Sequence, residues 1–160
     1  MDLGIVETGN GGDFSMDGPN PQMVYNFENH PYLGMYGGNK EASTSNIKIE
    51  VESFDFWANN LLWRDNPSIQ MNSEFERALD KINLTSQGRI RLIDLAKKDL
   101  EFMTEFAKVE VDAAITATDR LEMKIKIIAS DSSTSVRIIN FRKSVDGDFS
   151  ILDFNNDFNI

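Results

Sequence analysis

Cysteine is absent from all 160 residues, so no disulfide framework staples the fold and no thiolate serves as nucleophile or metal ligand. That usage fits a reducing compartment. Histidine is nearly absent as well. The single one, His30, precedes Pro31 with no serine or cysteine in a nucleophile setting, and it reads as structural. No window approaches the ~20 uninterrupted apolar residues of a membrane span. Met1-Asp2-Leu3-Gly4 lacks the basic and then apolar run of a signal peptide. The expectation is a soluble protein, not Sec-exported and without membrane insertion. Basic residues are scarce too, with 16 Lys and Arg against 26 Asp and Glu and a net charge of -10. Residues 1–66 hold ten acids and three bases and residues 144–160 four acids and none, which leaves about +1 for the middle. A chain with acidic ends and no basic stripe is a poor match for nucleic acid. Its acidity serves either solubility or arms that dock on other proteins.

What is present organises around Asn72–Phe106. Ser73-Glu74-Phe75-Glu76 is a capping box, in which the Ser73 hydroxyl accepts from the Glu76 N–H and the Glu76 carboxylate reaches back to Ser73. Phe75, Ala78, Leu79 and Ile82 then fall on one helical stripe. After Asn83-Leu84-Thr85-Ser86 a second helix of about five turns is expected, with Leu92, Ile93, Ala96, Leu100, Met103, Phe106 and Ala107 on one side. Arg89, Arg91, Lys97, Lys98 and Glu101 occupy most of the other.

Upstream, Leu3 and Ile5 alternate toward Gly9-Asn10-Gly11-Gly12, and Phe14 and Met16 follow, the pattern of a β-hairpin arm. Pro19-Asn20-Pro21 stops it. A short helix from about Pro21 to Asn29 and an apolar segment Pro31–Tyr36 come next. Ile47, Ile49 and Val51 alternate with Lys48, Glu50 and Glu52 as a strand with one wet face. Phe54, Phe56, Trp57, Leu61, Leu62 and Trp63 then crowd together, and either cover the domain's own core or form a contact surface.

Downstream, Val109–Ile115 and Leu121–Ile127 alternate as two strands around Ala117-Thr118-Asp119-Arg120. Keeping the wet faces together sets Asp112 opposite Lys124 if Thr118 centres the turn, or opposite Lys126 if Asp119 does. A third strand is expected at Val136–Phe141. The last stretch, Asp146–Ile160, mixes four aspartates with Phe149, Phe154 and Phe158. It reads as an arm that orders against another surface and that the fold can spare.

The fold expected is α+β, with two amphipathic helices packed on a small, mostly antiparallel sheet, an N-terminal β-hairpin arm and a C-terminal tail. It divides into the hairpin arm and loop at 1–45, a compact core at 46–143 and an acidic, aromatic C-terminal arm at 144–160, all one folding domain. Nothing in the sequence marks a catalytic, cofactor-binding or metal residue. Asp146-Gly147-Asp148 opens like a calcium loop, but Ile151 stands where the EF-hand turn needs glycine and Asp157 where it needs glutamate. Gly9-Asn10-Gly11-Gly12 lacks the lysine and hydroxyl residue of a phosphate loop.

Taken in order, several segments resemble the Mu-like phage baseplate wedge family, relatives of the lysozyme-like baseplate proteins that initiate the sheath of contractile tails. They are Asp2-Leu3-Gly4, Gly12-Asp13-Phe14-Ser15-Met16-Asp17-Gly18, Phe56-Trp57-Ala58-Asn59-Asn60-Leu61-Leu62-Trp63 and Ala96-Lys97-Lys98-Asp99-Leu100-Glu101-Phe102-Met103. Phe56-Trp57-Ala58-Asn59 stands where the family often has two tryptophans, glycine and aspartate. The resemblance covers most of residues 1–130. It implies a non-enzymatic structural subunit of a tail baseplate in the virion, made in the host bacterial cytoplasm and present in several copies. Its partners would be other baseplate wedge proteins, the tail sheath and the tube. Strand addition to the edges of Val109–Ile128 and Val136–Phe141 would seed the first sheath ring. The contact residues this implies are Phe14, Phe56, Trp57, Leu61, Leu62, Trp63, Val136, Ile138, Phe149, Phe154 and Phe158. The alternatives are a lysozyme-like peptidoglycan hydrolase and an adaptor of a related contractile injection system.

Overall fold

The Thr85 hydroxyl accepts from the Gly88 N–H at 3.1 Å and starts the longest helix, Ser86–Asp99. In this computed structural model, residues 2–7, 12–24, 27–37, 73–79, 81–147 and 149–157 are described. The expected strand at Ile47–Val51 and the aromatic stretch from Phe54 to Trp63 lie outside them. Three helices are used below, α1 (His30–Tyr36), α2 (Phe75–Leu79) and α3 (Ser86–Asp99). Leu92, Ala96 and Leu100, four residues apart, form the buried stripe of α3 and its cap. Lys97 and Lys98 in its last turn suit the negative end of the helix dipole.

The five-turn helix expected here is shorter than the periodicity suggested. It stops at Asp99, and Glu101–Glu105 is a 3-10 turn. Met103 stays in the core, whereas Phe102 and Phe106 are turned outward. Ala107 is claimed by the sheet, where it lies opposite Ala129, and that pairing overrides the helical pattern through Phe106.

In the capping box the Glu76 N–H donates to the Ser73 hydroxyl at 3.3 Å. A second cap comes from elsewhere in the chain. The Asp99 carboxylate, at the last position of α3, accepts from the N–H of Glu74 at 2.9 Å and of Phe75 at 2.7 Å, so it satisfies orphan donors at the start of α2. The Ser73 hydroxyl is shared between Asp99 Oδ2 at 3.1 Å and the carbonyl of Met35 at the end of α1. Burial raises the Asp99 pKa above its ordinary value, although the Glu74 and Phe75 N–H groups and the Ser73 hydroxyl pull it the other way. The three helices thus converge on one half-buried carboxylate. Gly34 lets α1 approach, since a Cβ there would lie 2.9 Å from both Leu100 Cδ2 and Phe102 Cε1.

The main sheet has four antiparallel strands, β7 (Ala107–Ala117), β8 (Arg120–Ala129), β9 (Thr134–Lys143) and β10 (Phe149–Asp157), in the order β10-β9-β8-β7. The β7–β8 register sets Asp112 opposite Lys124 and Glu110 opposite Lys126, so the hairpin turns about Thr118. Leu121, Met123, Ile125 and Ile127 of β8 and Ile139 and Phe141 of β9 face the helices and form the core with Phe75, Leu92 and Met103. The fold is α+β, as the alternation of helical and strand periods implied.

The C-terminal segment departs from expectation. Residues 149–157 pair along β9, from Phe149 opposite Lys143 to Asp157 opposite Val136, with a bulge at Leu152. The surface this arm orders against is the chain's own sheet, because the period-two run Phe149, Ile151 continues the faces of β9. It follows that Val136–Phe141 is an interior strand and offers no edge.

Candidate interaction surface

Gly4, Ser15 and Gln22 meet at one point near the N-terminus. Six short strands run through it as β1 (Asp2–Leu3), β2 (Ile5–Glu7), β3 (Gly12–Phe14), β4 (Met16–Asp17), β5 (Asn20–Pro21) and β6 (Met23–Val24). They pair as β1 with β6, β2 with β3 and β4 with β5, giving three antiparallel ribbons that radiate from the junction. Its centre is a closed ring of backbone hydrogen bonds. Gly4 N–H donates to Gln22, Gln22 to Ser15 and Ser15 to Gly4, each at 2.8 Å. A Cβ on Gly4 would lie 3.1 Å from Val24 Cγ1 and 3.3 Å from both the Gln22 oxygen and Ser15 Cβ, so only glycine fits without displacement. The expected β2–β3 hairpin is present. The expected helix from Pro21 to Asn29 is not, because Asn20–Pro21 and Met23–Val24 are strand partners and the helix begins at His30, with Pro31 in its first turn.

The junction is fastened to the core by buried polar side chains. Asn29 accepts from the Ile5 N–H at 3.1 Å and donates to the Leu3 carbonyl at 2.6 Å and to Asp2 Oδ2 at 3.1 Å. One amide therefore holds β1 and β2 against α1. On β9, buried Arg137 donates to the carbonyl of Glu28 next door. Burial lowers its guanidinium pKa to about 10, with the Glu28 charge acting in the opposite direction. Beside this root, Phe27 stacks on Phe106 at 5.4 Å and meets His30 edge-on at 5.2 Å, while His30 stacks on Phe102 at 6.4 Å. Desolvation lowers the His30 pKa and Asp2 opposes that shift.

The ribbons present apolar side chains to solvent. Phe14 and Met16 are each 56% exposed, Met23 42% and Leu3 37%. Asp2 and Asp17 stand exposed among them, and the first basic residue in the sequence is Lys40. Four large apolar side chains are thus exposed on strands that meet at one junction, with acidic side chains on the same strands.

Compared with family models, curated proteins and solved structures, the chain shows no match in any of the three. The geometry of its own residues therefore carries the functional reading.

Of the contact residues expected from the sequence, Phe14 lies at this surface. Leu3, Met16 and Met23 are exposed on the neighbouring strands; Leu3 and Met16 belonged to the expected hairpin arm, whereas Met23 was expected in a helix. Val136 and Ile138 are corrected as strand-addition sites: both sit on β9 between β8 and β10, and Val136 is 3% exposed. Phe149 is half-buried, 6.4 Å from the Phe141 ring and with Lys143 Nζ 5.0 Å above it, so it packs within the chain. Phe154 stands in β10 opposite Ile139. Phe56, Trp57, Leu61, Leu62, Trp63 and Phe158 lie outside the described residues.

Among the described residues no group of three His, Cys, Asp or Glu could hold a metal ion. The closest approach to paired catalytic carboxylates is Glu74 beside Asp99. Lys98 Nζ holds Glu74 Oε1 at 2.5 Å, and both Asp99 oxygens accept from the backbone of α2.

Proposed function

We propose that this protein is an assembly subunit whose N-terminal three-ribbon junction docks on other proteins, and that those proteins are the wedge, sheath and tube components of a contractile-tail baseplate. One observation carries the docking reading: Leu3, Phe14, Met16 and Met23 are each exposed on strands that meet at a junction hydrogen-bonded through Gly4 and Asn29. Rigid mounting matters because an apolar contact loses affinity to every side chain and loop it must first order. The baseplate assignment draws on the sequence resemblance through Gly12–Gly18 and Ala96–Met103, and multiple copies around a tube would let a modest contact act cooperatively.

The test is co-expression with the wedge, sheath and tube proteins of a contractile tail. The native chain should co-purify with them in several copies. Phe14→Asp with Met16→Asp should reduce co-purification at least tenfold while the melting temperature changes by only a few degrees, since both side chains are more than half exposed. Undiminished co-purification of that variant would remove the junction from the interface, and failure of the native chain to co-purify would remove the baseplate. The hydrolase alternative draws on Asp99, whose pKa is raised by burial, with the nearby Glu74 charge adding to the shift. A peptidoglycan release assay with purified protein, showing no activity, disposes of it.

A further inference from the structure

The outer edge of β7 is stoppered by side chains at its centre. The Ala113 N–H donates to Asp112 Oδ1 at 2.8 Å, and the Ala113 carbonyl accepts from Arg89 Nη1 at 2.9 Å. Both groups therefore point away from β8. Backbone groups alternate sides along an antiparallel strand, so those of Val109, Val111 and Ile115 point the same way. Among the described residues no strand pairs with this edge. Arg89 stands in the first turns of α3 and reaches round the edge, and its guanidinium lies 3.7 Å from the Asp112 carboxylate. The two side chains together imitate the donor and acceptor of a neighbouring strand.

The charges along β7 say which neighbour is being held off. A second copy's β7 could lie antiparallel against this edge only in registers that match outward-pointing residues. Placing Glu110, Val111 or Asp112 on the two-fold axis sets an acid opposite an acid, which is unfavourable. Placing Val109 there sets Lys108 opposite Glu110 but pairs only 107–111, whereas placing Ala113 or Ala114 there sets Asp112 opposite Ala114 or Thr116, avoids the clash and pairs a longer run, 109–117 or 111–117. The side-chain plug sits within the longest registers that electrostatics would otherwise allow.

We propose that Arg89 and Asp112 form a latch on the β7 edge, and that opening it lets β7 pair antiparallel with β7 of a second copy, joining two four-stranded sheets across a two-fold axis. Sheet edges left open invite this pairing, and charged side chains are a recurrent means of preventing it. The latch is releasable, because the Asp112 side chain is 83% exposed and such an ion pair holds weakly. The inference is independent of the N-terminal surface.

The experiment uses the full chain with Arg89→Ala and Asp112→Ala together. The native protein should sediment as a monomer and the double variant as a dimer, with slowed hydrogen exchange at Val109, Val111 and Ile115. Adding Ala113→Pro, which removes an N–H that β8 does not use, should restore the monomer. A folded double variant that stays monomeric, or a dimer without new protection along β7, overturns the proposal, as does a native dimer already protected there. Should the double variant melt below the assay temperature, Arg89→Gln leaves the strand sequence intact and reads the same outcomes.

Discussion

Asp99 is the residue on which three helices depend, and its role could not be read from its neighbours in sequence. Twenty-four and twenty-five residues separate it from the Phe75 and Glu74 N–H groups it caps. Asp99→Ala leaves those donors without their partner at a partly buried site, at an expected cost of about 2 kcal/mol in urea unfolding. Asp99→Asn keeps an acceptor oxygen and should cost less; equal losses would mean that charge, not hydrogen bonding, matters. His30 supplies a pH dependence. Desolvation depresses its folded pKa below the ordinary 6.5, so the unfolded chain binds the proton more tightly. Its contribution to stability is fully present above pH 6.5 and is lost as pH falls through the folded value. Asp99 has the opposite sign, since its raised pKa favours the folded state most below pH 3.8 and less as pH rises. The His30 effect extends downward from pH 6.5 and the Asp99 effect upward from pH 3.8. His30→Phe should flatten the stability profile just below pH 6.5, and an unchanged slope in thermal melts would assign it to another group.

At the scale of elements, helix propensity and tertiary packing disagree at Gly88. In an exposed helix, alanine in place of glycine is favourable by ~1 kcal/mol. Here a Cβ would lie 2.0 Å from the Asn83 carbonyl oxygen and 2.8 Å from Ile82 Cγ2. Gly88→Ala must push the start of α3 away from the preceding turn, with an expected loss of ~2 kcal/mol or more. A raised melting temperature would show that the turn yields freely. The same contrast explains which elements were legible. α3 and the β7–β8 hairpin carry long, regular apolar periods, Leu92-Ala96-Leu100 and Val109 through Ile127, and the start of α3 and both strands were expected near where they are observed. The end of α3 was not, because Phe106 and Ala107 continue the helical period while pairing with Ala129 draws the chain into the sheet. The N-terminal ribbons are two or three residues long, too short for any period to show, and only the β2–β3 pair was anticipated.

For the molecule as a whole, the position of β10 changes what truncation should do. As a free arm, residues 144–160 would be dispensable for folding. As the fourth strand they cover the outer edge of β9 and pack Phe149 against Phe141, which is 1% exposed. Removing 144–160 should lower the melting temperature and promote self-association through the bared β9 edge, seen in light scattering. A truncated monomer that melts with the full chain would show that the strand adds nothing to the core. This edge and the latched edge of β7 lie on opposite sides of the sheet, so the two kinds of association are separable by which strand gains exchange protection.

The sequence by itself determined the α+β class, the core of α3, the faces of the β7–β8 hairpin with two registers left open, and the acidic character of the first 39 residues, which hold no lysine or arginine, because each depends on residues a few positions apart. The tertiary structure alone decided that Asp99 caps a helix it does not belong to, that the C-terminal segment is a strand and that Gly4, Ser15 and Gln22 close a ring. Each of these joins backbone groups distant in the chain. Backbone N–H and C=O groups are the same in every residue but proline, so local pattern does not say which of them will meet.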